Sequence, residues 1–526
     1  MTFTRREQTI MWTGGVLCLL FLAPCMLFPI SSDLALFALG GRVLLDGGAM
    51  YADFVDIKPP LVFYVLAVVQ YLFGEGELNI RIFDYFWQIG TAVSIVAVLR
   101  QQKFTVLQAV AGACLYTLAY TAQNYPSTMQ CESLSALPLL WAVHWFVSKR
   151  ESGLHRMLVG FLVGFAFCLK FTLGIVFVPL LLSDIFIDKV GFGALLKRWL
   201  GIGAGFLIAV ALLFVLPLMK GAALEGYGLM AQFTVGYVEI QQWTLDYIRT
   251  ALKLIPHYFG EKFSMALLLG LGAVLLQYFR RVRSGADADD RWTPTAFLVA
   301  LFLFVSVLLE KKFIPYHYGR MYVFLLPLAA IGLVAAYHFL RDVFRSGNAG
   351  AKVLVIALAG TMLVFSPVTR FVNILRPSVY YFTDRAKYDA IYERGTEDDS
   401  SVIREQQLEV VNYVDSLRAP GERTFIVATQ AGILYYFLDE TPVPKFPSSQ
   451  FYGTPMSPEP WVREFAPRLA KVDWIIVHTN DRYIQINGTD KTGVDVINDD
   501  PAAAKILREE FRLEHEFEFF RVYKRI

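Results

Sequence analysis

The sequence predicts a multi-span α-helical membrane protein of about eleven transmembrane helices, with short interfacial helices in its first loop and a soluble α/β domain at its C-terminus. Three observations carry this. Of the 526 residues, 56% are hydrophobic and only 18% charged, against about 25% charged in an ordinary soluble protein. Apolar runs that suit a hydrocarbon core of about 30 Å recur from Ile10 to Pro367. Beyond Pro367 the composition changes abruptly, and roughly half of all charged residues lie in the last third of the chain. The expected division is a membrane part over 1–368 and a soluble part over 369–526. Disorder, collagen and coiled coil are excluded by composition. The 48 Lys and Arg against 46 Asp and Glu leave a formal charge of +2, too balanced to point to nucleic acid.

Arg5 and Arg6 precede an apolar run from Ile10 to Ile30. That pattern resembles a signal sequence, yet no small-residue cleavage site follows and further spans do, so it reads as an uncleaved first helix. The expected spans are 10–30, 80–99, 104–121, 132–147, 156–169, 171–187, 198–217, 262–279, 294–309, 320–340 and 352–368. Basic residues then cluster at Arg100 and Lys103, Lys149 to Arg156, Lys189 to Arg198, Arg280 to Arg291, and Arg341 to Lys352. All of these fall on the side of Arg5 and Arg6. Because cytoplasmic loops collect Lys and Arg, the N-terminus is expected inside and the C-terminal domain outside.

Leu61 to Phe73 breaks the pattern, being about half the length a span needs. Counting it as a span would reverse every later loop, so it is expected as a short helix in the outer interface, with Pro59 and Pro60 at its start. The first outer loop thus runs from about Ser31 to Asn79. Asp33 to Leu45 reads as a second short helix, ended by Gly47 and Gly48. In the soluble part, strand-like runs at Arg423 to Ala428, Trp474 to His478 and Phe517 to Tyr523 interleave with helical patterns at Glu405 to Leu417 and Pro501 to Phe511. Cys18, Cys25, Cys114, Cys131 and Cys168 all lie in or beside apolar segments and form neither a disulfide framework nor a metal-binding pattern. Asn487-Gly488-Thr489 fits a glycosylation sequon, a match too short to carry weight.

Polar residues at span ends hold the chemical information, because each is costly in a membrane unless partnered or used. They gather at the expected outer face. Asp33 follows the first span, Asp53 and Asp56 precede Lys58-Pro59-Pro60, and Glu132 opens the fourth span after Asn124-Tyr125-Pro126. Lys170, Lys311, Lys312, His317 and Arg320 share that side, and Arg81 begins the second span. Carboxylates beside cations suit a reaction that activates a hydroxyl near a phosphate. Each has a plainer reading: Asp33 as a solvated loop charge, Lys170 as a snorkelling ammonium, Arg81 as the partner of a local carboxylate or a lipid headgroup, His317 as a helix cap.

Ser32-Asp33, Tyr51-Ala52-Asp53-Phe54-Val55-Asp56-Ile57-Lys58-Pro59-Pro60, Glu132, Lys170 and Pro315-Tyr316-His317-Tyr318 together resemble the GT-C superfamily of polyprenyl-phosphate-sugar-dependent glycosyltransferases. The branch resembled is the bacterial group similar to protein O-mannosyltransferases and to the lipid A aminoarabinose transferase. The resemblance covers the membrane part, and its most specific piece is the loop from Asp33 to Pro60.

It implies an inverting transfer of a monosaccharide from a polyprenyl phosphate, such as an undecaprenyl phosphate, on the outer face of a bacterial inner membrane. The acceptor would be lipopolysaccharide, another envelope glycan or glycolipid, or a protein. Asp33 matches the proposed general base. Glu132 matches a second-loop acidic residue that either orients the acceptor or holds a divalent cation, Mg or Mn, with Asp53 or Asp56. Lys58, Lys170 and His317 match positions near the donor phosphate, and Lys311, Lys312, Arg320 and Arg81 join them as candidate phosphate ligands. The second loop, Gln130-Cys131-Glu132, has one acidic residue where some members carry a pair. A transporter of lipid-linked sugars and an oligosaccharide ligase or polymerase are the alternatives. A transporter is expected to hold its site at the bilayer midplane within an internal repeat, and no repeat is visible.

Overall fold

A computed structural model of the chain describes residues 3–148, 152–221, 224–240, 242–250, 290–364, 367–394, 404–442 and 445–526, with isolated residues between 252 and 279. The chain divides into two compact units. One comprises 1–28, 81–212 and 244–379, the other 29–80, 213–243 and 380–526.

In chain order the main helices are α1 (Arg5–Leu22), α2 (Ser32–Leu45), α3 (Leu61–Phe73), α4 (Glu77–Gln101), α5 (Val106–Thr121), α6 (Cys131–Ser148), α7 (Gly153–Leu169), α8 (Phe192–Met219), α9 (Leu224–Glu239), α10 (Trp292–Glu310), α11 (Tyr322–Ser346), α12 (Ala349–Val364) and α13 (Pro367–Thr383). Five helical stretches among the described residues are long and apolar enough to cross a membrane: Arg5–Leu27, Glu77–Gln101, Phe192–Met219, Trp292–Glu310 and Pro315–Arg345. These make the protein multi-pass. Val106–Thr121, Gly153–Leu169 and Phe171–Ile187 are apolar but shorter. The expected span at 171–187 is no single helix: a tight 3-10 stretch over Phe171–Val176, one α-turn region over Phe177–Leu182 and a widened turn over Ser183–Ile187 share it. The expected span at 262–279 lies largely outside the described residues.

The caps show why the elements start where they do. The Thr4 hydroxyl accepts from the Glu7 amide while Glu7 reaches back to the Thr4 amide, a reciprocal box that starts α1. Thr105 and Gln108 repeat it at α5. Helices α7 and α8 meet through small residues, Gly160 and Gly164 on one, Gly201 and Gly205 on the other. A Cβ on Gly160 would collide with the Ile202 carbonyl, and one on Gly205 with that of Met157. Such four-residue glycine spacing lets two backbones touch where lipid supplies no hydrophobic drive.

In the second unit the two short helices expected in the first loop are present. Ser31 caps α2 by accepting from the Leu34 amide, and Gly74 at φ 86° closes α3. Gly41 of α2 lies so near α3 that a Cβ would sit 2.8 Å from the Ala67 nitrogen. The C-terminal sheet has four strands, β1 (Thr424–Val427), β2 (Trp474–His478), β3 (Phe511–Glu516) and β4 (Phe520–Arg525), ordered β1-β2-β4-β3. The first pair is parallel and the others antiparallel. Every residue of β1 and β2 is buried, as a parallel pair covered on both faces requires. Two expectations are corrected here. The strand read at Phe517 begins at Phe520, and the residues after Glu510 leave the helix as β3, which the β4 ladder captures. Asn487 of the sequon is buried, its amide donating to the Thr429 hydroxyl at 2.9 Å, so it is committed to the domain interior.

Candidate active site

The first unit holds a dense charge cluster. Glu132 stands in the first turn of α6, Glu310 ends α10, Lys170 follows α7, and His317 and Arg320 lie in the 3-10 turn Pro315–Met321 that leads into α11. The Lys170 ammonium donates to Glu132 at 2.6 Å and lies 3.0 Å from Glu310. The Arg320 guanidinium, wholly buried, meets both oxygens of Glu310 at 2.7 and 3.0 Å, reaches Glu132 at 3.0 Å and donates to the Ser306 hydroxyl at 2.7 Å. His317 Nδ1 is 3.1 Å from Glu310, and the Thr172 hydroxyl also donates to Glu310. Two carboxylates therefore face an ammonium and a guanidinium, with an imidazole beside them. Planar Arg320 is suited to bidentate recognition of a carboxylate or phosphate, and Lys170 offers a movable point charge.

Glu310 escaped the sequence reading. It closes the apolar run Val305-Ser306-Val307-Leu308-Leu309, where an ionisable residue is a functional-site signal by default, and two lysines follow it. Lys311 takes φ 57° as the left-handed end of α10, and its carbonyl accepts from the Tyr247 hydroxyl. Burial pushes the Lys312 ammonium down to about 8, with Lys311 adding to the shift. Arg81 is 1% exposed and donates to the Phe28 carbonyl at 3.2 Å and the Thr128 hydroxyl at 3.0 Å, inside the helix packing.

The second unit holds the other candidates. Asp33, in the first turn of α2, has the Lys58 ammonium 3.6 Å from its Oδ1, and Lys58 also lies 4.8 Å from the centre of the Phe37 ring. Asp56 accepts the Lys58 amide at 2.8 Å, and the Tyr51 hydroxyl donates to the Lys58 carbonyl at 3.0 Å. The buried Asp56 carboxyl is pushed up by loss of solvent, against the pull of Lys58. These contacts shape the turn before Pro59 and bring Lys58 to Asp33. Asp53 accepts the Ala49 amide at 2.8 Å within its own turn. The carboxylates of Asp53 and Asp56 are thus engaged with loop backbone.

Residues 57–219 match the family described as dolichyl-phosphate-mannose-protein mannosyltransferase, a stretch that opens at the Lys58-Pro59-Pro60 turn and takes in Glu132 and Lys170. Among solved structures, ArnT from Cupriavidus metallidurans bound to undecaprenyl phosphate is similar over 98% of this chain and 97% of its own, at 12% identity and a TM-score of 0.57. The chain shares the fold of that membrane protein. The apo state of the same ArnT gives 13% identity and 0.56 over the same shares. The Archaeoglobus fulgidus oligosaccharyltransferase, tethered with an acceptor peptide, is similar over 95% of this chain and 72% of its own, at 11% identity and 0.51. No curated protein matches the sequence itself.

Proposed function

We propose that this protein is a GT-C-type inverting membrane glycosyltransferase that moves a monosaccharide from a polyprenyl phosphate to an acceptor hydroxyl of the bacterial cell envelope. One observation carries the reading: a buried, charge-balanced cluster of Lys170, Arg320, His317, Glu132 and Glu310 at the ends of apolar helices, in a fold shared with a protein that binds undecaprenyl phosphate. The reading places the cluster at the outer face of the inner membrane, with the N-terminus cytoplasmic and the C-terminal domain periplasmic.

In this mechanism the Asp33 carboxylate takes the proton of the acceptor hydroxyl. The oxygen attacks the anomeric carbon, the bond from that carbon to the phosphate oxygen breaks, and its electron pair stays on the released polyprenyl phosphate. Lys170 and Arg320 offset the charge that grows there, the larger part of catalysis where water is excluded. Lys58 sits beside the base and so orients it.

A divalent cation has a donor set on offer, since one ligand atom from each of Glu132, Glu310 and His317 lies within 4.8 Å of the others. Two carboxylates and an imidazole would suit zinc or manganese. Lys170 and Arg320 already occupy three of the four carboxylate oxygens, so the arrangement fits an ion poorly.

The test is release of polyprenyl phosphate by the purified protein in nanodiscs, given a panel of polyprenyl-phosphate sugars and an envelope extract. Wild type should release it from one donor with or without chelator, and Asp33→Asn should bind that donor without turnover. Turnover in Asp33→Asn removes the base assignment. Intact donor crossing the bilayer with no release replaces the transferase by a transporter.

A further inference from the structure

The loop that delivers Glu132 to its partners is itself held by a buried polar network that none of the roles above uses. Asn124 (φ 67°) and Met129 (φ 59°) both take positive-φ backbone without being glycine, which L side chains rarely adopt. Something must hold them. The Met129 amide donates to the Tyr120 hydroxyl at 2.8 Å, and that hydroxyl donates to both oxygens of Asp84, at 2.7 and 2.8 Å. Gln88 donates to Asp84 at 3.0 Å and accepts from the Tyr116 hydroxyl at 2.7 Å. Arg81, one turn ahead of Asp84 on α4, donates to Thr128, whose hydroxyl donates to the Tyr125 carbonyl at 3.1 Å. Arg81, Asp84, Gln88, Tyr116, Tyr120 and Met129 are all buried.

An aspartate inside an apolar span is expensive, and its partners here lead directly to the loop. We propose that Asp84, Tyr120 and Arg81 are positioning residues: they hold the loop 124–130, with its positive φ at Asn124 and Met129, in the conformation that starts α6 at Cys131 and sets Glu132 against Lys170 and Arg320. This assigns Arg81 to the loop and not to the donor phosphate. The consequence for turnover rests on the function proposed above; the consequence for the loop does not.

Two readouts on the full-length protein in nanodiscs test it. Tyr120→Phe keeps the ring and removes the acceptor of the Met129 amide. Amide hydrogen exchange over 124–132 should rise about tenfold or more, the factor for one lost hydrogen bond of about 1.4 kcal/mol, while α4 and α5 stay protected. Turnover should fall, and adding Tyr120→Phe to Glu132→Gln should cost no further activity, because Tyr120 acts through Glu132. Unchanged exchange over 124–132 overturns the proposal. Exchange that rises equally through α4 and α5 also overturns it, since the network would then only pack helices, and so do losses that multiply in the double variant. If Tyr120→Phe does not fold, Thr128→Val releases Arg81 from the loop alone and must raise exchange in the same segment. A wild type without transferase activity whose loop still loosens in Tyr120→Phe refutes the proposed function and supports the positioning.

Discussion

Glu310→Gln separates the two jobs of the buried cluster. The carboxylate meets Arg320 at 2.7 and 3.0 Å, Lys170 at 3.0 Å and His317 at 3.1 Å. Breaking a buried ion pair by neutralising one partner costs about 3–5 kcal/mol. The amide keeps one acceptor for Arg320, worth about 1 kcal/mol, and Glu132 still faces Lys170 at 2.6 Å and Arg320 at 3.0 Å. The expected loss of stability is therefore about 2–4 kcal/mol, read from tryptophan fluorescence in a denaturant titration. Binding should move the other way. Lys170 is left with one carboxylate partner instead of two, and a negative charge is removed beside the incoming phosphate. At an effective dielectric of about 20 and a separation of about 6 Å, that charge is worth about 2–3 kcal/mol. Polyprenyl phosphate should bind at least about tenfold more tightly to the less stable variant. Unchanged stability would refute the ion-pair reading, and lower stability with unchanged or weaker binding would refute the phosphate role.

Other consequences are open to direct measurement. Lys170→Ala should weaken polyprenyl phosphate binding by about tenfold or more, with partial recovery in Lys170→Arg, as a charge-assisted contact of about 1.5–3 kcal/mol requires. Lys312, with its ammonium near 8 in the fold against 10.5 ordinarily, holds fewer protons folded than unfolded between those values. Its contribution to stability therefore rises with pH across that window, and subtracting the Lys312→Met profile from the wild type should isolate the rise; a flat difference from pH 7 to 10 would count against the burial argument. Gly160→Ala should destabilise by about 1–3 kcal/mol, because the added carbon meets the Ile202 carbonyl, whereas Gly203→Ala, with open space around it, should be nearly neutral in the same titration.

Much of the fold was legible because composition and hydrophobic period are local properties. The short helices at Ser32–Leu45 and Leu61–Phe73 announced themselves by apolar runs, one closed by Gly47 and Gly48 and the other opened by Pro59 and Pro60. Strands β1 and β2 stood out as apolar, β-branched runs. Strand β3 did not, because Phe511 to Glu516 is mostly charged and exposed, and only its pairing with β4 extends it. The irregular stretch from Phe171 to Ile187 was hidden for a related reason: its residues are as apolar as a span, and hydropathy is blind to how a helix is wound.

At the candidate site the residue types were readable and the partnerships were not. Glu132, Lys170, His317 and Arg320 lie up to 188 positions apart, and nothing in spacing says that they share a cluster. Asp53 and Asp56 stand out in sequence as acidic residues before Lys58-Pro59-Pro60, and only the fold shows that each accepts a backbone amide of its own loop. Sequence by itself determined the solvent of each segment, since transfer free energy depends on the side chain alone. It also determined which residues carry charge. Tertiary structure alone decided which charges meet: Glu310 joined the cluster, and Arg81 and Asp84 went to the loop before Glu132. Coulombic and hydrogen-bond energies depend on distances of a few ångströms, and those distances are set by how helices far apart in the chain pack.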